Sequence, residues 1–112
     1  MPNDPTEITV HELKERLDAG EDIFVLDVRT HMEWFAGRLA DTDRRISYDT
    51  VPDFLNQLPS DRTTSICVYC RSGRRSRLVT DYLRAIGYTA ARNLSGGVIA
   101  WHNAGYKLIA GE

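Results

Sequence analysis

Ser65-Ile66-Cys67-Val68-Tyr69-Cys70-Arg71-Ser72-Gly73-Arg74-Arg75-Ser76 is the stretch whose reading decides the fold. Its first five residues, Ser65 to Tyr69, form a short, mostly apolar run of the kind expected for a strand buried on both faces. A polar turn containing Gly73 follows, and from Ser76 to Ile86 the apolar residues Leu78, Val79, Tyr82, Leu83 and Ile86 recur at helical spacing until Gly87 supplies a stop. Strand, tight turn and helix in that order predict one step of an α/β fold, with Cys70 at the joint. A cysteine in that position is a candidate nucleophile. It attacks as its thiolate, and Arg71, Arg74 and Arg75, the helix N-terminus and the N–H groups of the turn all favour the anion. Its pKa is therefore expected below ~8.5. Gly73 can adopt positive φ, which lets successive N–H groups converge on one point. The bland alternative is an anion-binding turn that happens to contain a cysteine.

Upstream, Ser60-Asp61-Arg62 makes a turn, and Val51, Phe54, Leu55 and Leu58 predict a helix closed by Pro59. Residues 38–45 are mostly polar without a period and lead to a short strand near Ile46. Thr30-His31-Met32-Glu33 has the form of a capping box and starts a turn or two of helix carrying Trp34 and Phe35 to Gly37. Ile23 to Leu26 reads as a buried strand ending at the polar Asp27-Val28-Arg29. Thr9-Val10-His11-Glu12 is a second capping-box form, and Val10, Leu13 and Leu17 extend a helix to Gly20. Downstream, a weaker strand over 89–94 precedes Ser95-Gly96-Gly97, and a last helix over 98–103 presents Ile99 and Trp101 before Gly105. Strands alternating with helices across short loops predict a mostly parallel sheet covered on both faces. Ligands bind such sheets beyond the carboxyl ends of the strands, the edge at which Cys70, Asp27 and Arg29 all lie.

A chain of 112 residues, 42% hydrophobic and 27% charged, fits a single globular domain spanning 1–112. Its formal charge of -2 provides no bulk attraction to nucleic acid or anionic membrane, so neither is expected as a partner. The local basic cluster from Arg71 to Arg77 suits a small anion instead. The N-terminal residues lack a basic segment followed by an apolar run, and no stretch of about 18 apolar residues occurs, so a soluble cytoplasmic protein is expected. Cys67 and Cys70 point to opposite faces of one strand and are read as free thiols, Cys67 as core packing. His11, His31 and His102 have no spacing that pairs one of them with Cys70 as a base, and are read as surface residues. Trp34 and Trp101 are read as core or rim aromatics.

With these residues placed, the chain resembles a single-domain rhodanese, a sulfurtransferase, from about Ile8 to Leu108. The loop is similar to the rhodanese pattern Cys-Arg-x-Gly-x-Arg, met by Cys70, Arg71, Gly73 and Arg75. Asp27-Val28-Arg29 with Glu33 and Gly37 resembles the family's first signature, and Asn93-Leu94-Ser95-Gly96-Gly97 with Ala100-Trp101 and Gly105-Tyr106 resembles its closing one. Where the family usually carries Gly-His-Ile-x-Gly-Ala, this chain departs with Gly37-Arg38-Leu39-Ala40-Asp41-Thr42-Asp43-Arg44-Arg45-Ile46, one residue longer.

The resemblance implies a three-layer α/β/α domain around a central, mostly parallel five-stranded sheet, with 8–108 as its core. It also implies that Cys70 takes a sulfane sulfur from a small donor such as thiosulfate and passes the persulfide to a thiophilic acceptor, cyanide or a thiol, including a protein thiol. Arg71, Ser72, Gly73, Arg74, Arg75 and Ser76 then hold the persulfide or attract the donor, Asp27 and Arg29 brace the strand ends, with Glu33 as a further partner, and no metal or cofactor is implied. Two rivals remain open. A cysteine phosphatase needs an Arg six positions after the cysteine, where this chain has Ser76. A non-catalytic module of the same fold would use the loop only to dock a partner.

Overall fold

A computed structural model describes residues 4–112. Its sheet contains β1 (Glu7–Ile8), β2 (Phe24–Asp27), β3 (Arg44–Arg45), β4 (Ile66–Tyr69) and β5 (Ala91–Leu94) in the order β1-β5-β4-β2-β3. All paired strands run parallel, with Phe24 opposite Ile66 and Asp27 opposite Tyr69 at the centre. The helices are α1 (Val10–Asp18), α2 (His31–Ala36), α3 (Arg74–Ala85) and α4 (Gly97–Asn103), and a 3-10 segment covers Val51–Gln57.

Two-residue alternation along the central strands divides the core into two halves. Leu26, Ile66, Val68 and Cys70 pack with Val79 and Leu83 of α3 and with Val51. Val25, Cys67 and Tyr69 pack on the other face with Val10 and Leu13 of α1, Leu39 and Trp101 of α4. These are the three layers expected, and Cys67 and Cys70 lie on opposite faces as free thiols. Among the described residues no helix is long and apolar enough to cross a membrane.

Local chemistry sets the boundaries. Thr30 and Glu33 form a complete capping box at α2, whereas Thr9 caps α1 alone because Glu12 turns instead to Arg16. The helix after Cys70 begins at Arg74, two residues before Ser76, because Gly73 takes φ 99° and ends the turn there. Leu78 faces solvent at 63% exposure and leaves the apolar stripe of α3. The helix expected over 51–58 is a 3-10 segment broken at Phe54, where φ is -127°. The short strand expected near Ile46 is Arg44–Arg45, and Ile46 itself donates its N–H to Asp27 O at 2.9 Å.

In the longer 37–46 stretch, Arg38 bridges antiparallel to Ile109, and its guanidinium stacks 3.6 Å from the Trp34 ring centroid. That stretch is therefore held at both ends by backbone pairing, Arg38 with Ile109 and β3 with β2, and by the Arg38 side chain. The chain steps outward from β2 to β3 and in the opposite direction from β4 to β5. The crevice beyond the carboxyl ends of β2 and β4 is therefore where the strand order reverses, the usual binding position in such a sheet. Asp27 ends one of these strands and Cys70 follows the other.

Candidate functional site

Cys70 is 1% exposed, at the floor of the turn that links β4 to α3. Its Sγ accepts the Gly73 N–H at 3.1 Å and the Ser76 N–H at 3.4 Å, and the Ser76 hydroxyl oxygen lies 3.2 Å away. Burial pushes the Cys70 thiol up, but hydrogen bonds from the Ser76 hydroxyl and from the N–H groups of Ser76, Gly73 and Ser72 outweigh it and bring the thiol below its ordinary value. The other cysteine is the opposite case. Burial pushes the Cys67 thiol up to about 12.

The loop holds this shape because its carbonyls are occupied from behind. At the start of α4, Val98 N–H donates to Cys70 O and Ile99 N–H to Arg71 O, both at 3.0 Å, which leaves the N–H side of the turn facing the sulfur. Gly97, at φ 57°, lets the two segments touch: a Cβ there would lie 2.4 Å from Cys70 O and 2.6 Å from Arg71 O. The role of Gly96-Gly97 in the sequence is thus to bring a helix start onto the back of the cysteine loop.

The basic residues divide into bound and free. Arg75 makes a bidentate pair with Glu33, both contacts 2.9 Å, and this hydrogen-bonded guanidinium holds the Glu33 carboxyl down at about 2. Arg77 turns away to Glu7 at 2.6 Å and to Asp81 at 3.1 Å. Arg71 and Arg74 are exposed, and neither makes a salt bridge among the described residues. Ser72 is exposed beside them.

Among the described residues Glu33 pairs with Arg75, whereas Asp27 and Arg29 pair with each other at the end of β2. Both are buried, at 0% and 4% exposure. Asp27 Oδ1 accepts Arg29 Nε at 3.0 Å and the Arg29 backbone N–H at 2.9 Å, and Oδ2 accepts Nη2 at 2.9 Å. The same guanidinium reaches Gly37 O at 2.7 Å, tying the end of β2 to the far end of α2.

Two site residues escaped the sequence reading. Asn93, buried on β5, accepts the Ser76 hydroxyl on Oδ1 at 2.6 Å and donates from Nδ2 to Gly73 O at 3.1 Å and to Glu7 Oε2 at 3.1 Å. Asn93 stands in the closing motif, which marked the position without giving it a partner. Nothing in the sequence marked Glu7. The histidines are all exposed and Trp101 is buried, as expected.

Comparison with known proteins bears on the family and the fold. Residues 9–104 match the family model of the Rhodanese-like domain. A sulfurtransferase of Allochromatium vinosum is 36% identical over 95% of this chain and 96% of its own length. A probable adenylyltransferase/sulfurtransferase, MoeZ of Mycobacterium tuberculosis, is 33% identical over 84% of this chain, which spans only 24% of that longer protein. The crystal structure of a rhodanese-like domain protein from Staphylococcus aureus superposes with a TM-score of 0.77 at 35% identity, covering 86% of this chain and 90% of its own.

Proposed function

Because the chain belongs to the rhodanese-like domain family, whose relatives support sulfur transfer in general, we propose that it carries a sulfane sulfur on Cys70, from a donor such as thiosulfate to cyanide or a thiol. The observation that carries this reading is the convergence of the Gly73 and Ser76 N–H groups on one sulfur, with the Ser76 hydroxyl beside them, at the reversal point of the sheet.

In the first half-reaction the Cys70 thiolate attacks the outer sulfur of thiosulfate. The S–S bond of the donor breaks, its electron pair leaves with sulfite, and Cys70 becomes a persulfide anion. In the second, the acceptor attacks the outer sulfur, and the Cys70–sulfur bond breaks to return the thiolate. The N–H groups of Ser72, Gly73 and Ser76 favour the thiolate at the start and finish of this cycle. Arg71 and Arg74, exposed and in no salt bridge among the described residues, attract the sulfonate end of the donor, while Arg75 orders the loop through Glu33.

Three measurements test this reading. Steady-state rates with thiosulfate and cyanide varied together should give the parallel-line pattern of a double displacement. Aryl phosphate, assayed beside them, should not be hydrolysed, since Ser76 stands where a phosphatase needs its clamping Arg. Aryl phosphate turnover without sulfur loading would reverse the assignment. The pH dependence of Cys70 alkylation should have its midpoint below the ordinary thiol value of ~8.5. A midpoint at or above that value would mean that the loop does not activate the sulfur.

A further inference from the structure

The Ser76 hydroxyl has one proton and two acceptors. Its oxygen lies 2.6 Å from Asn93 Oδ1 and 3.2 Å from Cys70 Sγ. The orientation of the Asn93 amide is fixed on its far side, because Nδ2 faces Gly73 O and the Glu7 carboxylate, at 3.1 Å to each, and these only accept. Turning the amide over would set a carbonyl against a carboxylate. Glu7 is held in turn by Arg77 and Ser95, each at 2.6 Å. A chain of contacts therefore runs from a half-buried ion pair to the buried sulfur.

While Cys70 is a thiol, every group in the chain is satisfied: S–H donates to Ser76 Oγ and the hydroxyl donates to Asn93. Ionisation removes the first of these protons. The hydroxyl must then either stay with Asn93 and turn a lone pair toward the thiolate, or donate to the sulfur and set oxygen against oxygen at 2.6 Å. Loading a sulfur atom resolves the conflict. The charge moves to the outer sulfur, the inner sulfur becomes a weak acceptor, and the hydroxyl returns to Asn93.

We propose that Asn93, anchored by Glu7, is a positioning residue that competes with Cys70 for the Ser76 proton and so favours the sulfur-loaded cysteine over the free thiolate. The proposal rests on the sulfur-transfer reading for its purpose but not for its geometry. Other charges around the pocket are paired, Asp27 with Arg29, Glu33 with Arg75 and Glu7 with Arg77, apart from the exposed Arg71 and Arg74. None of these pairs depends on the Ser76 proton.

The test is a cycle of four proteins, native, Asn93→Ala, Ser76→Ala and the double variant, read by the pH midpoint of Cys70 alkylation. This readout needs no sulfur donor, so its failure is distinct from failure of the sulfur-transfer reading. Asn93→Ala frees the hydroxyl for the thiolate and should lower the midpoint by about one pH unit, roughly 10-fold more thiolate below it. In the Ser76→Ala background the same change should lower it no further. An equal fall in both backgrounds, or no fall in folded Asn93→Ala, overturns the proposal. Should Asn93→Ala fail to fold, the side-chain amide resonance of Asn93 in the native protein decides instead. It should move as Cys70 ionises, return when the persulfide forms, and lose that movement in Ser76→Ala. A resonance that stays fixed, or that moves equally without the hydroxyl, contradicts the competition.

Discussion

Cys70→Ser should abolish sulfur transfer from thiosulfate to cyanide and keep the fold, while Cys67→Ser should keep most of the activity. The first half of this expectation follows from chemistry at one atom. A serine hydroxyl in the same cradle fits the space but is not ionised near neutral pH and forms no persulfide, so turnover should fall to background. The second half follows from the faces of β4. Cys67 lies 1% exposed in the opposite half of the core, and burial pushes its thiol up to about 12, which disfavours the thiolate at neutral pH. Its serine variant places a hydroxyl in that core at a cost of about 1–3 kcal/mol if unpartnered, so the assay belongs well below the unfolding transition. Activity lost in Cys67→Ser and retained in Cys70→Ser would reverse the assignment of the nucleophile.

Asp27→Ala should be the most destabilising single change near the site, because it strands the Arg29 guanidinium in a place that is 4% exposed. Three hydrogen bonds end on the lost carboxylate, including one from the Arg29 backbone. Breaking a buried pair by removing one partner costs about 3–5 kcal/mol, a large share of the ~5–15 kcal/mol that holds a domain of this size. The transition in a thermal melt should fall by at least ~10 °C. Removing both charges, as in Asp27→Leu with Arg29→Met, should recover part of the loss but not all, since Gly37 O would still lack its donor. A loss below about 1 kcal/mol in Asp27→Ala would mean that the pair is not what braces the end of β2.

How much of this was legible in the sequence follows the range of the interactions. Strands buried on both faces announce themselves as apolar runs, and the turn after β4 shows its glycine and its arginines in seven consecutive residues, 70–76. The pairing of Glu33 with Arg75 spans 42 positions, and that of Glu7 with Asn93 spans 86, so only the sheet order brings them together. β1 and β3 are two residues each, and β3 is Arg44–Arg45, a polar pair that is a strand only because β2 offers it an edge. Arg38, 8% exposed, reads as a surface residue until the Trp34 ring and Gly111 O are placed beside it. Leu78 errs the other way, a residue on the apolar stripe of α3 that meets no partner layer.

The intact mass of the protein after incubation with thiosulfate tests the central claim most directly, with the modified peptide mapped afterwards. A gain of one sulfur atom, located on Cys70, removed by cyanide and absent from Cys70→Ser, is the predicted result. An unchanged mass, or a sulfur located on Cys67, would contradict it.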